Sequence, residues 1–132
     1  MNDVTNLRDT IVPKSDQLNA DSLVGTTLTI TVTGVTRGNA ESPVIIHYQN
    51  DNGRPYKPCK TMRKLIVMAW GENGNDWIGR GMVLFNEPTV KWAGKAVGGI
   101  RISHLSHIPK PIEVSLAASK NNKVLHKIQV LT

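Results

Sequence analysis

Apolar and polar residues alternate with a period of two in several segments of this chain, and follow a helical period in one place. Leu28, Ile30 and Val32 alternate with Thr27, Thr29, Thr31 and Thr33, which predicts a first strand that Gly34 interrupts near its end. Beyond the polar loop 37–42, Val44-Ile45-Ile46-His47-Tyr48 predicts a second strand. Asp51-Asn52-Gly53 then predicts a hairpin turn, because Asn and Gly tolerate the positive φ angles such turns require. A short third strand follows over Arg54 to Lys57, weakened by Pro55 and Pro58. Met62, Leu65, Ile66, Ala69 and Trp70 fall on one stripe of a helix, with Thr61 placed to cap its start and Gly71 its end. A helix of about ten residues is marginal alone, so this stripe has to be buried against a sheet.

The strand signal then resumes. Trp77 to Gly81 leads into a strand at Met82-Val83-Leu84-Phe85, which Asn86-Glu87-Pro88 breaks. Val90-Lys91-Trp92 extends again, Ala93-Gly94-Lys95 turns, and Gly98-Gly99 predicts a bulge or bend before the alternating Ile100 to Ser103. Ile112 to Ala117 and Val124 to Leu131 predict a closing hairpin, with Val124, His126, Ile128 and Val130 on one face of its second strand and Leu125, Lys127 and Gln129 on the other. Three strands, one short helix and several further strands match the element order of a mainly β, OB-fold-like five-stranded barrel, with its helix between strands 3 and 4 and an extra C-terminal hairpin. An unrelated β-sandwich with one added helix is the other architecture this order allows. Residues 1–21 carry no sustained apolar period and are expected to form a flexible N-terminal arm, leaving residues 22–132 as a single domain.

Composition narrows the partners. Sixteen Lys and Arg against ten Asp and Glu give a net charge of +6, but residues 1–21 hold four acids and two bases, so the domain itself carries fourteen bases and six acids. Such an excess points to a polyanion, nucleic acid first. The longest apolar runs, such as Leu65 to Trp70, fall far short of the roughly 20 residues of a membrane helix. No basic segment followed by an apolar stretch opens the chain, and its single cysteine, Cys59, excludes an intrachain disulfide framework, so a reducing cytoplasm is the expected setting.

The segment from Lys60 to Arg101 carries a resemblance. Lys60-Thr61-Met62-Arg63, Ala69-Trp70-Gly71, Asp76-Trp77-Ile78-Gly79-Arg80, Met82 to Phe85, Val90-Lys91-Trp92-Ala93-Gly94-Lys95 and Gly98-Gly99-Ile100-Arg101-Ile102 follow one another in order. This series resembles a family of small phage and prophage proteins: a helix, a Trp-aliphatic-Gly step into a strand, a basic strand with a Gly-Lys turn, and a Gly-Ile-Arg close. Leu23 to Tyr48 matches more loosely. The resemblance implies an OB-like fold and single-stranded-DNA binding in replication or recombination, in the cytoplasm of a phage host. The final Gln129-Val130-Leu131-Thr132 departs from the acidic tail by which bacterial single-stranded-DNA-binding proteins recruit repair factors, so that recruitment is not expected.

The residues themselves point the same way. Arg54, Tyr56, Lys57 and Lys60 sit together, as do Lys91, Trp92 and Lys95, while Arg37, Arg63, Lys64, Arg80 and Arg101 lie on or near neighbouring elements. Cations interleaved with aromatics suit a single strand, because the cations neutralise phosphates while flat rings stack on bases of any sequence. All of these but Lys64 are taken as the candidate nucleic-acid contacts, with Lys91-Trp92-Ala93-Gly94-Lys95 foremost. Trp92 either stacks on bases or closes a small core under its hairpin. Trp70 and Trp77 are expected in the core, and Tyr48 and Tyr56 either stack on bases or pair across the first hairpin.

His104 and His107 lack neighbouring acids or cysteines to complete a metal site. Cys59 has basic neighbours but no His and acid partner placed by motif, Gly94-Lys95 lacks P-loop spacing, and the carboxylates are scattered. No cofactor, metal or enzymatic activity is expected. The alternative class is a phage protein-interaction module that binds or inhibits a host or phage protein, using the same basic surface against an acidic partner. A virion component and a homo-oligomer are both compatible with the sequence.

Overall fold

The computed structural model describes residues 17–92, 95–96, 98–119 and 122–132, with the backbone alone for 91–92, 95–96, 116–119 and 122–124. The expected arm therefore lies, up to Asp16, outside the described residues. The elements are β1 (Thr27–Arg37), β2 (Val44–Tyr48), α1 (Lys60–Trp70), β3 (Gly81–Glu87), β4 (Lys91–Trp92), β5 (Lys95–Ala96), β6 (Gly99–Leu105), β7 (Ile112–Ser119) and β8 (Asn122–Val130). Short 3-10 turns cover Ala20–Leu23 and Gly74–Trp77.

The chain is mainly β, with one helix and a six-stranded open sheet in the order β2-β1-β3-β6-β8-β7. Its pairings are antiparallel except that of β6 with β8. β1 serves two partners: Thr27 to Thr31 pair with β3 and Val32 to Arg37 with β2, and the register shifts between Val32 and Gly34. The glycine expected to interrupt the strand thus sits at a bulge that lets one strand join two neighbours. β2 has the boundaries its apolar run predicts, and the expected C-terminal hairpin is β7 with β8. β8 buries Ile128 and leaves Leu125 exposed, as its alternation requires.

The third strand is a correction. Arg54 to Lys57 forms no strand; Tyr56 makes a single bridge to Ile46, its N–H and C=O both bonded to that residue at 2.9 and 2.8 Å. Pro58 has no N–H for the next bonded position on one side, and on the other the Arg54 N–H is taken by the Asp51 carbonyl at 2.9 Å, so the ladder stops at Tyr56 in both directions. The sheet consequently has two edges among the described residues, and a closed five-stranded barrel is not what the pairings make.

The helix buries Met62, Leu65, Ile66 and Trp70, the stripe that its period picks out. It starts one residue before Thr61: Cys59 is the N-cap and provides no side-chain cap bond. Gly71 ends it at φ 96, donating its N–H to the Val67 carbonyl. Trp77, expected to open a strand, instead closes a 3-10 turn whose N-cap Asn73 accepts from the Asn75 N–H. Both tryptophans are buried as expected: Trp70 Nε1 donates to the Ser106 carbonyl at 2.8 Å and Trp77 Nε1 to that of Gly71 at 3.1 Å. The first bond ties the helix to the residue that follows β6, and the second ties the turn to the end of the helix. No helix of the described residues is long and apolar enough to cross a membrane.

Ile66 is fully buried between helix and sheet. Ile66→Ala should lower stability by about 2–5 kcal/mol in urea denaturation, whereas Leu125→Ser, at an exposed position, should stay within about 0.5 kcal/mol. Equal effects at the two sites would contradict the core described.

Candidate functional site

The unmade third strand leaves a seam. Between the Tyr56–Cys59 segment and the start of β6 lies an open cleft of about 640 Å³, walled by Tyr56, Lys57, Cys59, Ile100 and Arg101. Val90, Gly98 and Gly99, from which the β4–β5 hairpin springs, form another part of its lining. Residues 17–21 complete it: Leu18 is buried and donates its N–H to the Pro55 carbonyl at 2.9 Å. This part of the expected arm is therefore seated on the domain, because Leu18 finds both an apolar site and a backbone acceptor there.

Glycine is required where the hairpin leaves the sheet. Gly98 has φ +81, and a Cβ on it would stand 2.6 Å from Asn86 Oδ1. Its N–H donates to the Val90 carbonyl at 3.1 Å, which closes the base of the hairpin. Within the hairpin Lys91 pairs with Ala96 and Trp92 with Lys95. The side chains of Lys91, Trp92 and Lys95, the foremost expected contacts, lie outside what the structure describes; their backbone positions place them on a hairpin rooted in the cleft wall.

The structure brings together only part of the expected set. Lys57, Arg101 and Tyr56 meet at the cleft. Arg101 donates from Nη1 to Cys59 Sγ at 3.7 Å, spanning the seam that backbone pairing leaves open. Tyr56 is a correction in role, since at 1% exposure its ring forms wall and offers no stacking face. Tyr48 is buried too, its hydroxyl donating to the Arg54 carbonyl at 2.9 Å, while Arg54 itself is exposed beside the first turn. Arg63 donates to the Pro58 carbonyl at 2.9 Å, and the Arg80 guanidinium lies 5.6 Å from the Trp70 ring centroid. Both are held in internal interactions. Arg37 borders a separate hollow near Trp77, and Lys60 lies with Lys64 and Met68 in a groove between α1 and β7.

Sequence reading missed Phe85. The run Met82 to Phe85 reads only as a strand, with no role for its aromatic; Phe85 is half-buried, pairs across the strands with Arg101, and stacks on His126 with ring centroids 6.1 Å apart. Leu18 was equally hard to see, since no periodic neighbour marks it.

Lys57 and Arg101 face one acid in the cleft lining, Asp21, which is exposed. Burial, and secondarily the nearby Cys59, push the Tyr56 hydroxyl far above its ordinary value, while Arg101 pulls it down. Burial and then Asp51 raise Tyr48. The chemistry available is cationic and hydrogen-bonding, within a largely apolar wall. Among the described residues the imidazoles bond to Thr36, Ser103, Ser106 and the Ile102 carbonyl, none of them to Cys59. His104 lies in β6 and His107 beyond it at φ 59, and no group of metal-binding side chains occurs among the described residues. Comparisons with protein-family models, characterised proteins and solved structures find no match to this chain.

A tyrosine kept neutral by folding stabilises the protein below its ordinary value of 10.0, and that stability is lost as the unfolded chain ionises above it. Tyr56→Phe should flatten the fall in Tm between about pH 9 and pH 11. An unchanged profile would contradict the burial of this hydroxyl.

Proposed function

We propose that this protein binds single-stranded DNA with little sequence preference, without catalysing a reaction, and serves phage replication or recombination in the host cytoplasm. One observation carries the reading: Lys57, Arg101 and the root of the Lys91–Lys95 hairpin converge on one open cleft. A flexible strand can lay phosphates against such cations and bases against Trp92 or the half-buried Phe85, and stacking of this kind tolerates any sequence. The outward side of α1 carries Val67 and Met68 beside Lys60 and Lys64, an arrangement unsuited to reading a duplex groove.

The OB-like interpretation of the fold belongs to the same proposal. β1, β2, β3 and β6, with the helix entering before β3, follow the strand order of that barrel, and the Tyr56 segment stands where its third strand would run. The cleft is then the unzipped junction between that segment and β6. The sequence resemblance to small phage proteins supports the assignment to DNA.

Titration of an oligothymidine of about thirty nucleotides, followed by anisotropy, tests the proposal against a duplex of equal length. Binding should favour the single strand and weaken with salt at a log–log slope of about −0.7 per phosphate neutralised, and Lys57→Ala should make that slope shallower by about one phosphate. Replacing Lys91 and Trp92 together by Ala should cost at least about 1–3 kcal/mol of binding without unfolding the protein. A flat salt response, or no binding to either form at low salt, would refute the reading and favour a protein-interaction module.

A further inference from the structure

Three buried side-chain atoms lack a hydrogen-bond partner among the described residues: Tyr56 Oη, Arg101 Nε and Asn86 Oδ1. Two of them, on Tyr56 and Arg101, belong to the cleft. Asn86 lies against Gly98. Proteins rarely leave buried polar groups unpaired, so two at one cleft point to a ligand that completes them. Tyr56 Oη and Arg101 Nε are donors under these conditions, one neutral and one cationic. Cys59 accepts from Arg101 Nη1 and so fixes the guanidinium, leaving Nε without a partner.

We propose that the cleft contains a phosphate pocket, in which Arg101 and the Tyr56 hydroxyl together hold one phosphate group. This rests on the strand-binding reading above and singles out one position along the strand. The pocket lies at the start of an 11-residue helix whose N-cap, Cys59, provides no capping side chain and whose first turn holds no acid. The positive end of that helix is therefore uncompensated and favours an anion nearby. Asp21 is the opposing charge, and its exposure lets solvent screen its repulsion. Asn86 Oδ1 is an acceptor and takes no part in holding the anion.

The test uses the full chain and Tyr56→Phe, which deletes one hydroxyl that has no internal partner. The variant should keep the wild-type Tm at neutral pH. Inorganic phosphate, compared with chloride at equal ionic strength, should raise the wild-type Tm, and Tyr56→Phe should need about tenfold more phosphate for the same shift, the size expected for one charged hydrogen bond. Arg101→Gln should abolish the shift. Oligothymidines with a 5′-phosphate, a 3′-phosphate or neither identify the source: a preference for one phosphorylated end means a terminal phosphate, and equal binding that still weakens in Tyr56→Phe means an internal phosphodiester. Oligothymidine binding that is indifferent to Tyr56→Phe, or a lowered Tm in that variant, overturns the pocket and spares the strand reading. Tyr56-dependent binding of inorganic phosphate without any binding of oligothymidine does the reverse.

Discussion

Two prolines and a turn decide how this sheet ends. Pro55 and Pro58 bracket Tyr56 and Lys57 and remove two amide protons that a third strand would contribute, and the Asp51 carbonyl takes that of Arg54, so one residue bridges to β2 where a ladder would run. Backbone hydrogen bonding is the interaction that would zip this segment onto β6, and without it the neighbouring edges stand apart. The open cleft, the exposed Cys59 and the reach of Arg101 across the gap all follow from that missing pairing. A continuous ladder would have filled the same space with backbone.

The rest of the molecule holds the two sides of the seam in place. On one side, Leu18 binds the Pro55 carbonyl through its N–H, and Arg63 binds the Pro58 carbonyl, so side-chain and loop donors replace strand partners. On the other, β6 is anchored by β3, by its parallel contact with β8 and by the Trp70 bond to Ser106. Both walls are thus bonded to the body of the domain, and across the recess between them Arg101 reaches Cys59 while Tyr56 Oη and Arg101 Nε keep no partner among the described residues.

Much of the architecture was legible because it depends on local period. The alternating threonines of β1, the apolar run of β2, the helical stripe from Met62 to Trp70 and the two faces of β8 each follow from the spacing of side chains along a regular backbone. Gly34 was readable as an interruption, though not as the point where one strand changes partners. Local chemistry misled at Thr61 and Trp77: a cap residue and a β-favouring aromatic were both available, but helix and turn took the neighbouring positions.

The candidate site was legible only in its ingredients. Sequence alone determined the excess of positive charge, the basic hairpin with Trp92, and the proline-weakened segment around Tyr56, because composition and backbone propensity are properties of neighbours along the chain. Tertiary structure alone decided that Arg101 and Cys59, 42 residues apart, would meet, and that Tyr56 would be wall instead of stacking platform. It also turned Arg63 and Arg80 inward to a carbonyl and a ring, and left Phe85 within reach of solvent beside Arg101. The reason is physical: the prolines mark locally where pairing fails, but which distant side chains then meet or become buried is settled by long-range hydrogen bonding and packing, which no local pattern encodes.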